Sequence, residues 1–156
     1  MKRFSWLVLA LVACGAPTTP APTAVSSSPL AGTVGGQPWR AVGAVASARR
    51  AFADDGGERW IDVSNKVISC AEFLPEAQVI GVVPWQVGAY ALSLRHNLTF
   101  VVHQADGGLD NLVATSGRVE VVTAPGADAG TATLRIRAQF DAENTVEGEV
   151  TVSVCD

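Results

Sequence analysis

From residue 90 onward, apolar and polar side chains alternate with a period of two, the pattern of strands with one buried face. Leu134, Ile136, Ala138 and Phe140 alternate with Thr133, Arg135, Arg137 and Gln139. Val146, Gly148, Val150, Val152 and Val154 then alternate with Glu147, Glu149, Thr151 and Ser153. The polar cluster Asp141-Ala142-Glu143-Asn144 lies between them, so the two runs predict an antiparallel hairpin. Its wet face would set Arg135 and Arg137 across from Glu147 and Glu149, in ion pairs worth roughly 0.2 to 1 kcal/mol each. Shorter runs predict further strands. Leu98, Phe100 and Val102 line one, ended by Asp106-Gly107-Gly108, and Gly117 to Thr123 form another, ended by Pro125-Gly126. Tyr90, Leu92 and Leu94 share one face of a strand after Gly88; Val79 to Val83 and Glu58 to Ser64 supply two more. Gly32-Thr33-Val34, Gly35-Gly36 and Pro38 to Ala46 read as a first hairpin. Ala41 to Ala53 is Ala-rich and fits a helix or a strand; Gly43 and Val45 favour the strand. Asn65 to Glu76 has no period and predicts an irregular segment, or one helical turn, carrying Cys70. The sum is an all-β domain of about eight to nine strands, an antiparallel β-sandwich or flattened barrel.

The N-terminal region has a different pattern. Met1-Lys2-Arg3 precedes an apolar run from Phe4 to Val12, about half the roughly 20 residues that span a bilayer as a helix. A basic end, a short apolar stretch and a small residue at Ala13 describe an export signal. Leu11-Val12-Ala13-Cys14 resembles the bacterial lipobox. That resemblance implies a signal peptide over 1–13, cleavage before Cys14, a diacylglyceryl thioether on its sulfur and an acyl chain on the new amine. Ordinary secretion with later cleavage is the alternative. Two or more acyl chains anchor a protein firmly where one does not. Gly15 stands where an inner-membrane lipoprotein carries Asp, which implies the outer membrane by default. Ala16 to Leu30 is Pro-, Thr-, Ser- and Ala-rich and uncharged. Such a segment buries too little to offset its ordering entropy. Residues 14–30 are therefore read as the lipidated cysteine and a flexible spacer of up to roughly 45 Å, and residues 31–156 as the β domain.

Composition then narrows the partners. Apolar residues make up 48% of the chain and charged ones 17%, enough for a core. Loss of Lys2 and Arg3 with the signal leaves 9 basic against 15 acidic residues, a net charge of −6. An acidic chain is unsuited to nucleic acid, which needs a basic face. With Cys14 lipidated, Cys70 and Cys155 remain as an even pair in an oxidising compartment, and a disulfide between them is expected. The rival role for Cys70, a nucleophile, needs a base and a lowered thiol pKa, and neither is evident.

Gly32-x-Val34-x-Gly36-x-Pro38-Trp39, Cys70-Ala71, Gly88-x-Tyr90 and Asn144-x-Val146-x-Gly148-x-Val150-x-Val152-x-Val154-Cys155 together resemble small bacterial lipoproteins of uncharacterised role. The likeness spans most of Gly32 to Cys155. It implies a fold and a location and brings no catalytic residue.

Little else points to chemistry. His96 and His103, seven apart, would face opposite sides of a shared strand. Even with Asp106 and Asp110 they make a poor zinc site, which needs three or four converging ligands. Asp54-Asp55-Gly56-Gly57-Glu58 and Asp106-Gly107-Gly108-Leu109-Asp110-Asn111 are acidic, Gly-rich loops without EF-hand spacing and read as turns rather than calcium sites. Glu143, Glu147 and Glu149 read as solvating acids. Asn97-Leu98-Thr99 matches a glycosylation acceptor by chance. Of Trp39, Trp60 and Trp85, Trp60 falls out of phase with Ile61 and Val63 and Trp85 follows Pro84 in a loop. An exposed aromatic can anchor a partner or a sugar, and packing under a loop or into the core is the reading favoured for all three. No G-x-S-x-G elbow, Walker A loop or H-E-x-x-H is present. The expectation is a membrane-anchored lipoprotein of the cell envelope that binds rather than catalyses, with no metal or cofactor. Its partner would be an envelope protein, a glycan or a small ligand. The alternatives are a barrel-type carrier of a small ligand and an envelope inhibitor of hydrolases.

Overall fold

The computed structural model describes residues 24–48, 57–70, 78–125 and 130–155. The export signal, Cys14, the first half of the acidic loop Asp54–Glu58 and the segment after Cys70 lie outside the described residues.

The predicted C-terminal hairpin is the spine of the sheet. Its strands, Thr131–Gln139 and Thr145–Cys155, pair antiparallel with Arg135 opposite Glu149 and Arg137 opposite Glu147. Leu134, Ile136, Ala138, Val146, Val150 and Val152 turn inward and are buried. The turn is closed by Asp141, whose Oδ1 accepts hydrogen bonds from the backbone of Glu143 and of Asn144 at 2.9 and 2.8 Å.

Eleven strands form among the described residues, more than the eight or nine expected. In chain order they are β1 (Ala31–Val34), β2 (Gln37–Arg40), β3 (Gly43–Ser47), β4 (Glu58–Ser64), β5 (Val79–Pro84), β6 (Gly88–Ala91), β7 (Leu98–His103), β8 (Leu109–Val113), β9 (Ser116–Thr123), β10 (Thr131–Gln139) and β11 (Thr145–Cys155). One sheet runs β6-β9-β10-β11-β3-β4-β5-β7-β8, with the β1–β2 hairpin also paired to β11. It curls into a half-barrel. Phe100, Ile61, Val63, Val79, Leu98, Leu134 and Ile136 fill its interior and are fully buried. No helix occurs among the described residues, and the Ala-rich stretch contributes strand β3.

The sheet is mixed, not purely antiparallel as expected, because β11 and β3 run parallel. Connectivity explains this. β1 is antiparallel to β11 and β2 antiparallel to β1, so β2 runs in the direction of β11. Only Ala41 and Val42 separate β2 from β3, and the chain does not reverse there. Strand β3 therefore meets the end of β11 in the same direction. The β1–β2 turn uses Gly35 and Gly36 at φ of 59° and 71°, the double positive φ of a type I′ turn. A side chain at Gly35 would also strike Val102, 2.7 Å away.

The stretch Ala24 to Leu30, read from composition as the end of a spacer, belongs to the packed body. The Glu149 N–H donates to the Ser28 carbonyl at 2.6 Å, and the Leu30 N–H donates to the Glu149 carbonyl at 2.8 Å. Leu30 enters the core and Val25 is buried. Upstream, this strap crosses the charged outer face. The Ser26 N–H donates to Glu147 Oε1 at 3.1 Å, the Val25 N–H donates to Glu120 Oε1 at 3.3 Å, and Arg137 Nη2 donates to the Ala24 carbonyl at 3.3 Å. Gly148 makes the crossing possible: a Cβ there would lie 2.5 Å from the Ser28 carbonyl oxygen and 2.7 Å from Leu30 Cα. Beneath the strap, Arg135–Glu149 and Arg137–Glu147 are ion-paired at 2.9 and 2.6 Å, so the face expected to be wet is half-covered.

Cys70 and Cys155 form a disulfide with Cα atoms 5.3 Å apart. It ties the end of β11 to the segment following β4.

Candidate functional site

Buried polar atoms without hydrogen-bond partners are uncommon, and each calls for an explanation. Among the described residues four side-chain atoms are in this state: Glu58 Oε2, Arg59 Nε, Trp85 Nε1 and Arg118 Nε. Arg118 Nε at least lies 3.2 Å from Glu120 Oε1. The other three gather at one place, where the start of β4 faces the end of β5 and Glu58 pairs with Pro84.

Strand alternation explains how the site is built. The inward residues of β4 are Ile61 and Val63, so Arg59 shares the core side and Glu58 the outer side. Arg59 is buried, its guanidinium lies 5.7 Å from the centroid of the Trp85 ring, and its Nη1 donates to the Glu58 carbonyl at 3.0 Å. It has no carboxylate partner among the described residues. On the outer side the connection from β6 to β7 folds over Glu58. Its turn is fixed by Ser93: the Ser93 N–H donates to the His96 carbonyl at 2.8 Å, and the His96 N–H donates to Ser93 Oγ at 3.1 Å. This presents Arg95 and His96 to one oxygen. Arg95 Nε donates to Glu58 Oε1 at 2.6 Å, and His96 Nε2 lies 2.7 Å from the same atom. Because an ionised carboxylate only accepts, Nε2 carries the ring proton in this contact.

The Glu58 side chain is 5% exposed and that of Arg95 64%. The hydrogen bond from His96 holds the Glu58 carboxyl below its ordinary value near 4.5; burial opposes this and Arg95 reinforces it. A carboxylate with a depressed value stabilises the fold above its unfolded value, and that contribution is lost as pH falls through the folded one. Glu58→Gln should therefore melt below the wild type at pH 7, and the gap should close on acidification below the ordinary carboxylate range as the wild-type carboxyl also becomes neutral. A gap that persists in acid would show that charge at Glu58 is not what the pair of donors holds.

Glu58, Arg95 and His96 line a cleft of about 280 Å³ together with Gly57, Pro84, Gln86 and Tyr90. The Tyr90 hydroxyl donates to the Gln86 carbonyl at 3.0 Å and fixes the opposite wall. Val87, beside Gln86, is 69% exposed, and Leu94, beside Arg95, is fully exposed.

No protein-family model matches this chain, and no curated protein or solved structure matches it.

The residues singled out from sequence fall in several places. His96 and His103 do not share a site, since His103 lines a separate groove between the β1–β2 hairpin and β7. Among the described residues no three His, Cys, Asp or Glu side chains converge. Asp106 Oδ1 accepts from the Gly108 N–H at 2.9 Å within its own turn, and Asp110 binds Gln104. Trp39 and Trp85 are buried, Trp39 Nε1 donating to Gln78 Oε1 at 3.1 Å. Trp60 lies on the outer side of β4, where its Nε1 donates to Asp62 Oδ1 at 2.9 Å. Sequence reasoning missed Glu58, Arg59 and Arg95 as a constellation. The available signal was two adjacent charges opening the apolar strand Glu58 to Ser64.

Proposed function

We propose that this chain is a lipid-anchored binding module of the bacterial cell envelope and that it takes its ligand in the cleft at the start of β4. The observation that carries the reading is the open cleft at which Arg95 and His96 converge on one oxygen of the nearly buried Glu58 carboxylate. The lipobox-like Leu11 to Cys14 supports the anchor, and the Cys70–Cys155 bond suits an oxidising compartment. Binding is favoured over turnover because the one imidazole in the cleft is already held by a carboxylate that also serves Arg95. Both described cysteines are consumed in the disulfide. We read the curled sheet as an open barrel rather than a two-layer sandwich. Its interior is filled by Phe100, Leu134 and Ile136, as in small barrels whose side chains occupy the lumen. This favours a ligand at the rim over one carried inside.

The test uses the full chain in a bacterial host. Cys14→Ser should move the protein from the membrane to the soluble fraction. A photo-cross-linker in place of Leu94 should then give a discrete adduct in intact cells, while one in place of Leu109, on β8, should not. Equal labelling from both positions, or none from either, would remove the cleft as the binding site.

A further inference from the structure

We propose that the cleft recognises an oxyanion, a carboxylate or a phosphate monoester, joined to an apolar group. The inference rests on the binding-module reading and specifies its ligand. The other ion pairs among the described residues balance: Arg118 with Glu120, Arg135 with Glu149 and Arg137 with Glu147. Among the described residues the balance around the cleft fails. Glu58 is a single carboxylate facing Arg95 and His96, with Arg59 buried on the other side of the same strand. In a chain of net charge −4 this is a local surplus of cation, which raises the potential at a partly enclosed surface.

The donors are also arranged for a ligand. Arg95 bonds to Glu58 through Nε alone. The guanidinium is planar, so fixing Nε fixes the plane and leaves both Nη groups, unpartnered among the described residues, as a fork. Such a fork meets the two oxygens of a carboxylate or phosphate in parallel hydrogen bonds. Glu58 is thus a positioning residue, and its burial keeps it from swinging away with Arg95. The ligand's apolar part follows from the neighbours. Leu94 and Val87 are the sequence neighbours of the lining residues Arg95 and Gln86, and both apolar side chains are exposed. A free inorganic anion would leave these two unused.

Inorganic phosphate and phenyl phosphate, titrated onto the full chain in zwitterionic detergent, test this through the His96 imidazole resonances in NMR. Both probes should perturb them, with phenyl phosphate binding several-fold more tightly. Arg95→Gln should weaken both by about tenfold or more, the scale of a lost charged hydrogen bond. Leu94→Ala should remove only the advantage of the phenyl group, and Arg40→Gln, on exposed β2, should change nothing. Arg95 is largely exposed, so its replacement leaves the core packing intact, which an unchanged near-ultraviolet dichroism spectrum verifies; the melting temperature should fall somewhat, because Glu58 loses a donor. Undiminished binding in Arg95→Gln, or no perturbation of His96 by either probe, would overturn the oxyanion assignment. If the Leu94 cross-link survives while phosphate does not bind, the ligand class fails and the binding module stands. Loss of the cross-link with phosphate binding intact would separate the two in the other direction.

Discussion

Replacing Cys155 with Ser, or reducing the disulfide, should lower the unfolding free energy by about 4 to 5 kcal/mol. That is the chain-entropy value for a bond between residues 85 apart. For a domain of this size it corresponds to a fall in melting temperature of roughly 15 °C. Two structural facts favour the full effect. The last residues of β11, Ser153 to Cys155, pair with β3 over three positions, and on the other side their pairing ends at Ser153 opposite Thr131 and the Val154 N–H on the Gly130 carbonyl, so beyond Val154 the disulfide is the main tie. Cys70 itself is exposed, so little side-chain packing replaces the bond at that end, and its segment is anchored by hydrogen bonds further back, at Asn65 against Gln78. Thermal unfolding followed by near-ultraviolet dichroism, with and without reductant, measures the effect. A loss below about 1 kcal/mol would mean that the unfolded chain is already constrained, or that native strain offsets the gain.

The second large effect is expected at Leu30. Leu30→Ala should cost about 2 to 5 kcal/mol, the range for deleting a fully buried leucine side chain, since Leu30 is 1% exposed and part of the core cluster. A residue in a solvated spacer would cost nothing measurable. The variant keeps the backbone bonds of residue 30 but loses the side chain that anchors them. Leu30 leads the strap along β11, and its backbone N–H and carbonyl bond to Glu149 and Ala41. The variant should therefore also expose Ala24 to Ser28 to protease before the body unfolds. Denaturant unfolding combined with limited proteolysis separates the two consequences. An unchanged midpoint would place the strap outside the cooperative unit.

The parts legible in advance were those governed by local alternation. The β10–β11 hairpin and its two Arg–Glu pairs follow from period-two spacing and a polar turn. Strand β8 was not legible. Leu109 and Val113 are half-exposed, Asp110 and Asn111 are exposed, and Leu112 alone packs in part against the core, so this edge strand buries too little to leave an alternation to read. The parallel meeting of β3 and β11 depends on how two turns combine and is not a property of either segment. The strap was hidden for another reason. Its bonds run from backbone N–H groups to Glu120 and Glu147, which lie 95 and 121 residues away, and composition does not report them. The site was the least legible part. Glu58 is separated from Arg95 and His96 by 37 and 38 positions, and only the fold reveals that one carboxylate oxygen receives both.

The docked strap also sets a radius of action. If lipid is attached at Cys14, the nine residues Gly15 to Thr23 separate it from Ala24, whose carbonyl accepts from Arg137. Nine residues extend to no more than about 30 Å even when fully drawn out. The domain would then be confined to a shallow shell over one leaflet, and its partner would have to come close to the bilayer. Within the shell its effective concentration is high, and a weak individual contact would suffice.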